Sequence, residues 1–115
     1  MRRLSHLLAA MAIAGLAATA VAQERFDNEV RDDMFRAFGG NEAAFRNAMA
    51  KIEETLTAHP DHAEALAWRG VGSYWKAGQA FRAGDVADGR ALATAAMADL
   101  DRAITLARNA CPAFQ

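Results

Sequence analysis

Two histidines, His59 and His62, flank Pro60 and Asp61, and with the aspartate they offer the donor types of a zinc site. A zinc site needs three or four ligands held together. Only this short segment supplies them, so it reads as a polar turn with a helix cap. Cys111 is the sole cysteine. A catalytic thiol needs a nearby base and a positive environment; Cys111 has no paired histidine and sits in a tail. In an oxidising compartment it could bridge two chains. Acids stand in close pairs at Asp32 and Asp33, Glu53 and Glu54, and Asp99 and Asp101. General acid–base chemistry requires one shifted pKa inside a pocket, whereas such pairs on helices form solvated faces. The sequence has no nucleophile elbow, phosphate loop or dinucleotide fingerprint. It therefore predicts no enzyme, no catalytic residue, no metal and no cofactor. A small enzyme or metal binder using His59, His62 or Cys111 is the weakest of the readings.

The remaining chemistry is recognition. Trp68, Tyr74, Trp75 and Phe81 could form an aromatic binding surface, and Arg69, Ser73 and Lys76 follow one another at offsets of four and three, which places them on one helix face. At helical spacing Trp75 and Phe81 read first as core, and Trp68 less so. The three polar residues read as a surface strip.

The element that must carry them runs from Pro60 onward. Ala63, Leu66, Ala67, Gly70, Val71, Tyr74, Trp75, Gly78 and Phe81 recur at offsets of three and four. This is an amphipathic helix and not the alternation of a strand. Asp61 followed by Glu64 predicts a start resembling a capping box, and Pro60 ends whatever precedes it. Gly70, Gly72 and Gly78 lie inside the helix, each at a cost of roughly 1 kcal/mol against alanine. Several glycines in one helix imply a close neighbour.

The spacing Trp68-x2-Val71-Gly72-x2-Trp75 resembles the first-helix signature of the tetratricopeptide repeat. Ala96-x3-Leu100-x2-Ala103 resembles the second-helix signature. Ala48-x3-Ile52, followed by Pro60, resembles the end of a preceding repeat. The match covers about half the chain. It implies an all-α fold of about four antiparallel helices in two helical hairpins, and a module that binds a protein or peptide. In such a module the face carrying Arg69, Ser73 and Lys76 would line the concave surface, where the two cations could grip an acidic peptide. The gap from Trp75 to Ala96 is longer than the repeat allows. Because it continues the helical pattern, it predicts a lengthened hairpin that turns at Gly84-Asp85, with helices of about 21 and 23 residues. Phe81 and Val86 should then be exposed near its tip, as a candidate partner-contact surface. The usual closing proline is missing at Asn109, and Pro112 comes late.

The other segments follow in order. Arg2 and Arg3 precede an uncharged apolar run from Leu7 to Val21, and Ala20-Val21-Ala22 forms an A-x-A site. Residues 1–22 thus read as a secretory signal cleaved after Ala22, leaving no stable membrane anchor and a secreted or periplasmic chain. Cleavage removes two of the 13 basic side chains and none of the 14 acids, for a net charge of −3. That balance gives no electrostatic footprint for nucleic acid. Residues 23–109 form the helical domain, and 110–115 read as an unstructured tail.

Phe26, Val30, Met34, Ala37 and Phe38 form the stripe of a first helix, stopped by Gly39-Gly40. Asn41 caps a second, Glu42 to Ala58, with Phe45, Ala48, Met49, Ile52 and Leu56 inward. A fourth, from Val86 to Arg108, should bury Leu92, Ala93, Ala96, Leu100, Ala103, Ile104 and Ala107. Hydrophobic residues make up 53% and charged residues 23%, which excludes a disordered chain. Two hairpins leave an end uncovered, because stacked repeats need about three units. A partner, self-association into a structural bundle, or further repeats on a longer chain would each cover it.

Overall fold

A computed structural model of the chain describes residues 26–111. The expected signal segment 1–22 and the tail beyond Cys111 lie outside the described residues. The fold is all-α: among the described residues there is no strand. Helix α1 covers 26–38, α2 Glu42–Ala58, α3 Ala63–Arg82 and α4 Val86–Ala110. The connections are three or four residues long, which suits antiparallel neighbours.

Each boundary has a local cause. Gly40 closes the first turn at φ +103°, a conformation that costs glycine little. Asn41 Oδ1 then accepts from the Ala44 N–H at 2.9 Å and caps α2. Gly84, at φ +84°, and Asp85, whose Oδ1 accepts from the Asp88 N–H at 3.1 Å, make the turn expected between α3 and α4. The lengthened hairpin is present, with α3 at 20 residues and α4 at 25. Helix α4 extends through Ala110, so that residue belongs to the helix and not to a tail.

The start of α3 differs from expectation. Its cap is His62, whose Nδ1 accepts from the Ala65 N–H at 3.1 Å. Asp61 instead forms an ion pair with Arg102 of α4, and a tertiary partner displaces the local cap. His62 is held by the Phe26 ring, with centroids 4.8 Å apart. Glu64 lies against Asp27 rather than closing a capping box. Burial first, and Asp27 second, push its carboxyl above the usual range.

Helix α3 is the hub. Towards α2 its contacts run antiparallel: Arg69 meets Glu53, Gly72 meets Met49, and Lys76 meets Glu42. Towards α1 they run parallel: His62 with Phe26, Trp68 with Asp27, Gly72 with Met34, and Trp75 with Phe38. Towards α4 they run antiparallel again, from Gly70 against Leu100 to Phe81 against Gly89. The core joins Phe26, Val30 and Met34 of α1, Ala48, Ile52 and Leu56 of α2, Ala65 and Leu66 of α3, and Ala103 of α4. Phe38, Phe45 and Met49 border it, half-buried. The glycines are explained by approach. A Cβ on Gly72 would come within 2.9 Å of both Met49 Sδ and Met34 Cε, and one on Gly70 within 2.7 Å of Leu100 Cγ.

Candidate functional site

Among the described residues, only one face of α4 is covered. Its buried residues are Gly89, Ala96 and Ala103, seven apart, all small and all turned to α3. Small residues let two helix backbones approach, and Gly70 and Ala77 of α3 answer them. Leu92, Ala93 and Leu100 flank this strip, half-buried. The expectation that Ile104 and Ala107 are buried is corrected: both are exposed. Ile104 follows Ala103 of the covered strip by one residue and Ala107 by four, and among the described residues no fifth helix packs over them.

The result is an apolar surface along the second hairpin. Tyr74 is 64% exposed, Phe81 45%, Val86 48%, Met97 53% and Ile104 55%. Tyr74 and Phe81 are two turns apart on α3, and Met97 and Ile104 are two turns apart on α4. Phe81 is exposed and not core, contrary to the first reading of its spacing. Its ring lies on Gly89, where a Cβ would be 2.7 Å from Phe81 Cε1. A shallow groove of about 350 Å³ opens between the helices, lined by Tyr74, Gly78, Phe81 and Ala93 among others. Arg82 stands over the Trp75 ring at 5.7 Å and borders the groove with positive charge.

Phe81 and Val86 therefore lie where the long hairpin was expected to present them. The polar strip is placed differently. Arg69 donates to Asp99 through Nε at 2.7 Å and Nη2 at 2.9 Å, and its Nη1 lies 3.4 Å from Glu53. The hydrogen bonds it donates to Asp99 raise its pKa above the ordinary value. Lys76 Nζ donates to Glu42 at 3.0 Å and stands over the Phe45 ring at 4.6 Å. Ser73 is half-buried. Both cations are committed within the chain, so an acidic peptide would have to displace three carboxylates. The strip ties α3 to its neighbours, and it is separate from the apolar surface.

Sequence reasoning missed Met97 and Ile104 as surface residues. The signal was present in α4: Met97 and Ile104 follow Ala96 and Ala103 by one residue, so two adjacent stripes compete and the smaller side chains face the neighbour. Among the described residues no three His, Cys, Asp or Glu side chains gather as a metal site would require, and His62 is used as a cap. Cys111 is a free thiol, half-buried at the end of α4. No described helix is long and apolar enough to cross a membrane.

In comparisons with known proteins, no family model, curated protein or solved structure matches this chain.

Proposed function

We propose that this chain is an exported, tetratricopeptide-like module that binds a protein and carries out no chemistry of its own. The observation that carries this reading is the open apolar face of the second hairpin, formed by Tyr74, Phe81, Val86, Met97 and Ile104. Contiguous exposed apolar surface on a small domain marks an interaction site. The repeat-like spacing of Trp68, Val71, Gly72 and Trp75 supports the family resemblance. So does the parallel packing of α1 on α3, which are first helices of successive hairpins. In stacked helical repeats the first helix of the next unit would lie on this face, so an amphipathic helix is the shape of partner that fits. Export rests on the leader-like residues 1–22. Intact mass of the exported chain should place its N-terminus at Gln23, and retention of Met1 counts against cleavage.

Site-specific photo-crosslinking in cells tests the binding role. A photoreactive side chain at Met97 should yield a protein adduct that Ile104→Glu removes. The same probe at Glu54, on an exposed part of α2, should not. No adduct at Met97, or equal adducts at both positions, overturns the proposal.

A further inference from the structure

The open face has a pattern that specifies what covers it. From Val86 the offsets four and three alternate through Arg90, Ala93, Met97, Leu100 and Ile104. This is the strict seam of a coiled coil, and it lies beside the Gly89, Ala96 and Ala103 strip that faces α3. One charged residue, Arg90, interrupts it. Asp101 borders the same seam three turns further on, and among the described residues neither Arg90 nor Asp101 has an ion-pair partner.

The seam is complementary to itself when reversed. About a two-fold axis near Ala95, Val86 falls opposite Ile104 of the second copy and Ala93 opposite Met97. The same register brings Arg90 to Leu100 and Asp101 of the second copy, and symmetry repeats each pair. A parallel pairing would put Arg90 against Arg90, so charge selects the antiparallel arrangement. The centre of the seam, Ala93 to Ala96, is rich in small side chains, which permits a close helix approach. The covered stretch, residues 86–104, is about 28 Å long. Tyr74 and Phe81 of α3 flank it and would form the rim, their rings against the outer side of the opposing α4.

We infer that the open face of the second hairpin binds a second copy of this chain, α4 against α4 in antiparallel register, with Arg90 of each copy paired to Asp101 of the other. This rests on that face being a binding surface, and it names the partner. A two-fold contact of this kind is isologous and closes at a dimer.

Sedimentation equilibrium of the purified exported chain, from roughly 1 to 100 µM, a range that brackets micromolar affinity, tests it. The chain should show a concentration-dependent monomer–dimer equilibrium. Ile104→Glu should abolish the dimer while leaving the circular dichroism spectrum helical, since Ile104 is 55% exposed. Arg90→Glu and Asp101→Arg should each weaken the dimer by roughly ten-fold, because each substitution breaks two symmetric pairs. The two substitutions together should restore the affinity to within about three-fold of the parent, the coupling a double-mutant cycle measures. A monomer at all concentrations overturns the inference. So does a dimer indifferent to Ile104→Glu, or a double substitution that fails to restore affinity. A crosslink at Met97 to a different protein, with no self-association, overturns this inference while leaving the binding role in place.

Discussion

Arg69 and Asp99 form a two-pronged ion pair across the α3–α4 interface, with donor–acceptor distances of 2.7 and 2.9 Å. Arg69 also reaches Glu53 of α2, so a single side chain on α3 ties it to both neighbours. The Asp99 carboxylate is the more buried member, at 15% exposure. Charge-assisted, bidentate pairs are stronger than single hydrogen bonds, although partial exposure of Arg69 weakens this one. Asp99→Ala should therefore cost about 1–2 kcal/mol, between the exposed and fully buried limits. Glu53→Ala should cost less than about 0.5 kcal/mol, since that carboxylate is exposed. Urea midpoints of the two variants give the comparison, and equal losses would remove Asp99 from its role as the main clamp.

The two close-packed glycines of α3 differ in what surrounds them. At Gly72 an added methyl meets Met49 Sδ at 2.8 Å and Met34 Cε at 2.9 Å, both ends of flexible side chains. At Gly70 it meets Leu100 Cγ at 2.7 Å and the carbonyl oxygen of Ala96 at 3.1 Å. A backbone oxygen cannot turn aside. Gly70→Ala should be the more destabilising alanine substitution, by about 1 kcal/mol or more, within the usual range for overpacking. Larger side chains exceed what the methionines can yield. Gly72→Leu should cost roughly 1–3 kcal/mol and far more than Ala91→Leu, because Ala91 is exposed. Chemical denaturation of the four variants fixes the order.

His62 links stability to acidity. A backbone N–H donating to Nδ1 requires that nitrogen to be unprotonated. Burial lowers the His62 pKa below the ordinary 6.5, a backbone hydrogen bond partly opposes this, and His59 lowers it further. A histidine depressed in the folded state favours folding above its unfolded pKa, and that contribution is lost as pH falls through the folded value. The melting temperature should drop as pH falls below 6.5. His62→Asn keeps a capping acceptor that does not titrate in this range and should flatten the dependence. An unchanged slope in the variant would assign it to other groups.

Glu64 works with the opposite sign. Its carboxyl is raised above the ordinary 4.5 by burial and by the neighbouring Asp27 carboxylate. The folded state therefore holds the proton more tightly, and ionisation of Glu64 at neutral pH opposes folding. Glu64→Gln should raise the melting temperature at pH 7, with the gain shrinking as pH falls towards 4.5. A loss of stability at pH 7 would show that Arg31, which lowers this pKa, outweighs Asp27.

The sequence by itself determined the local part of this protein. Periodicity set the helices, Asn41 and Asp85 set two starts, and Gly40 and Gly84 set two turns, because these depend on the backbone within a few residues. It also determined that the second hairpin is long, since nothing between Lys76 and Arg82 breaks the helix. Tertiary structure decided the rest, and in each case a distant partner is the reason. Arg102 draws Asp61 out of the cap, leaving His62 to take its place. Asp99 and Glu42 engage Arg69 and Lys76, which as isolated residues look free to bind a ligand. On α4 two stripes one residue apart could each face inward. Gly70 brings the backbones so close that the small stripe, Ala96 and Ala103, is the one that fits. Met97 and Ile104 are left outside by that choice, and the proposed binding face follows from it.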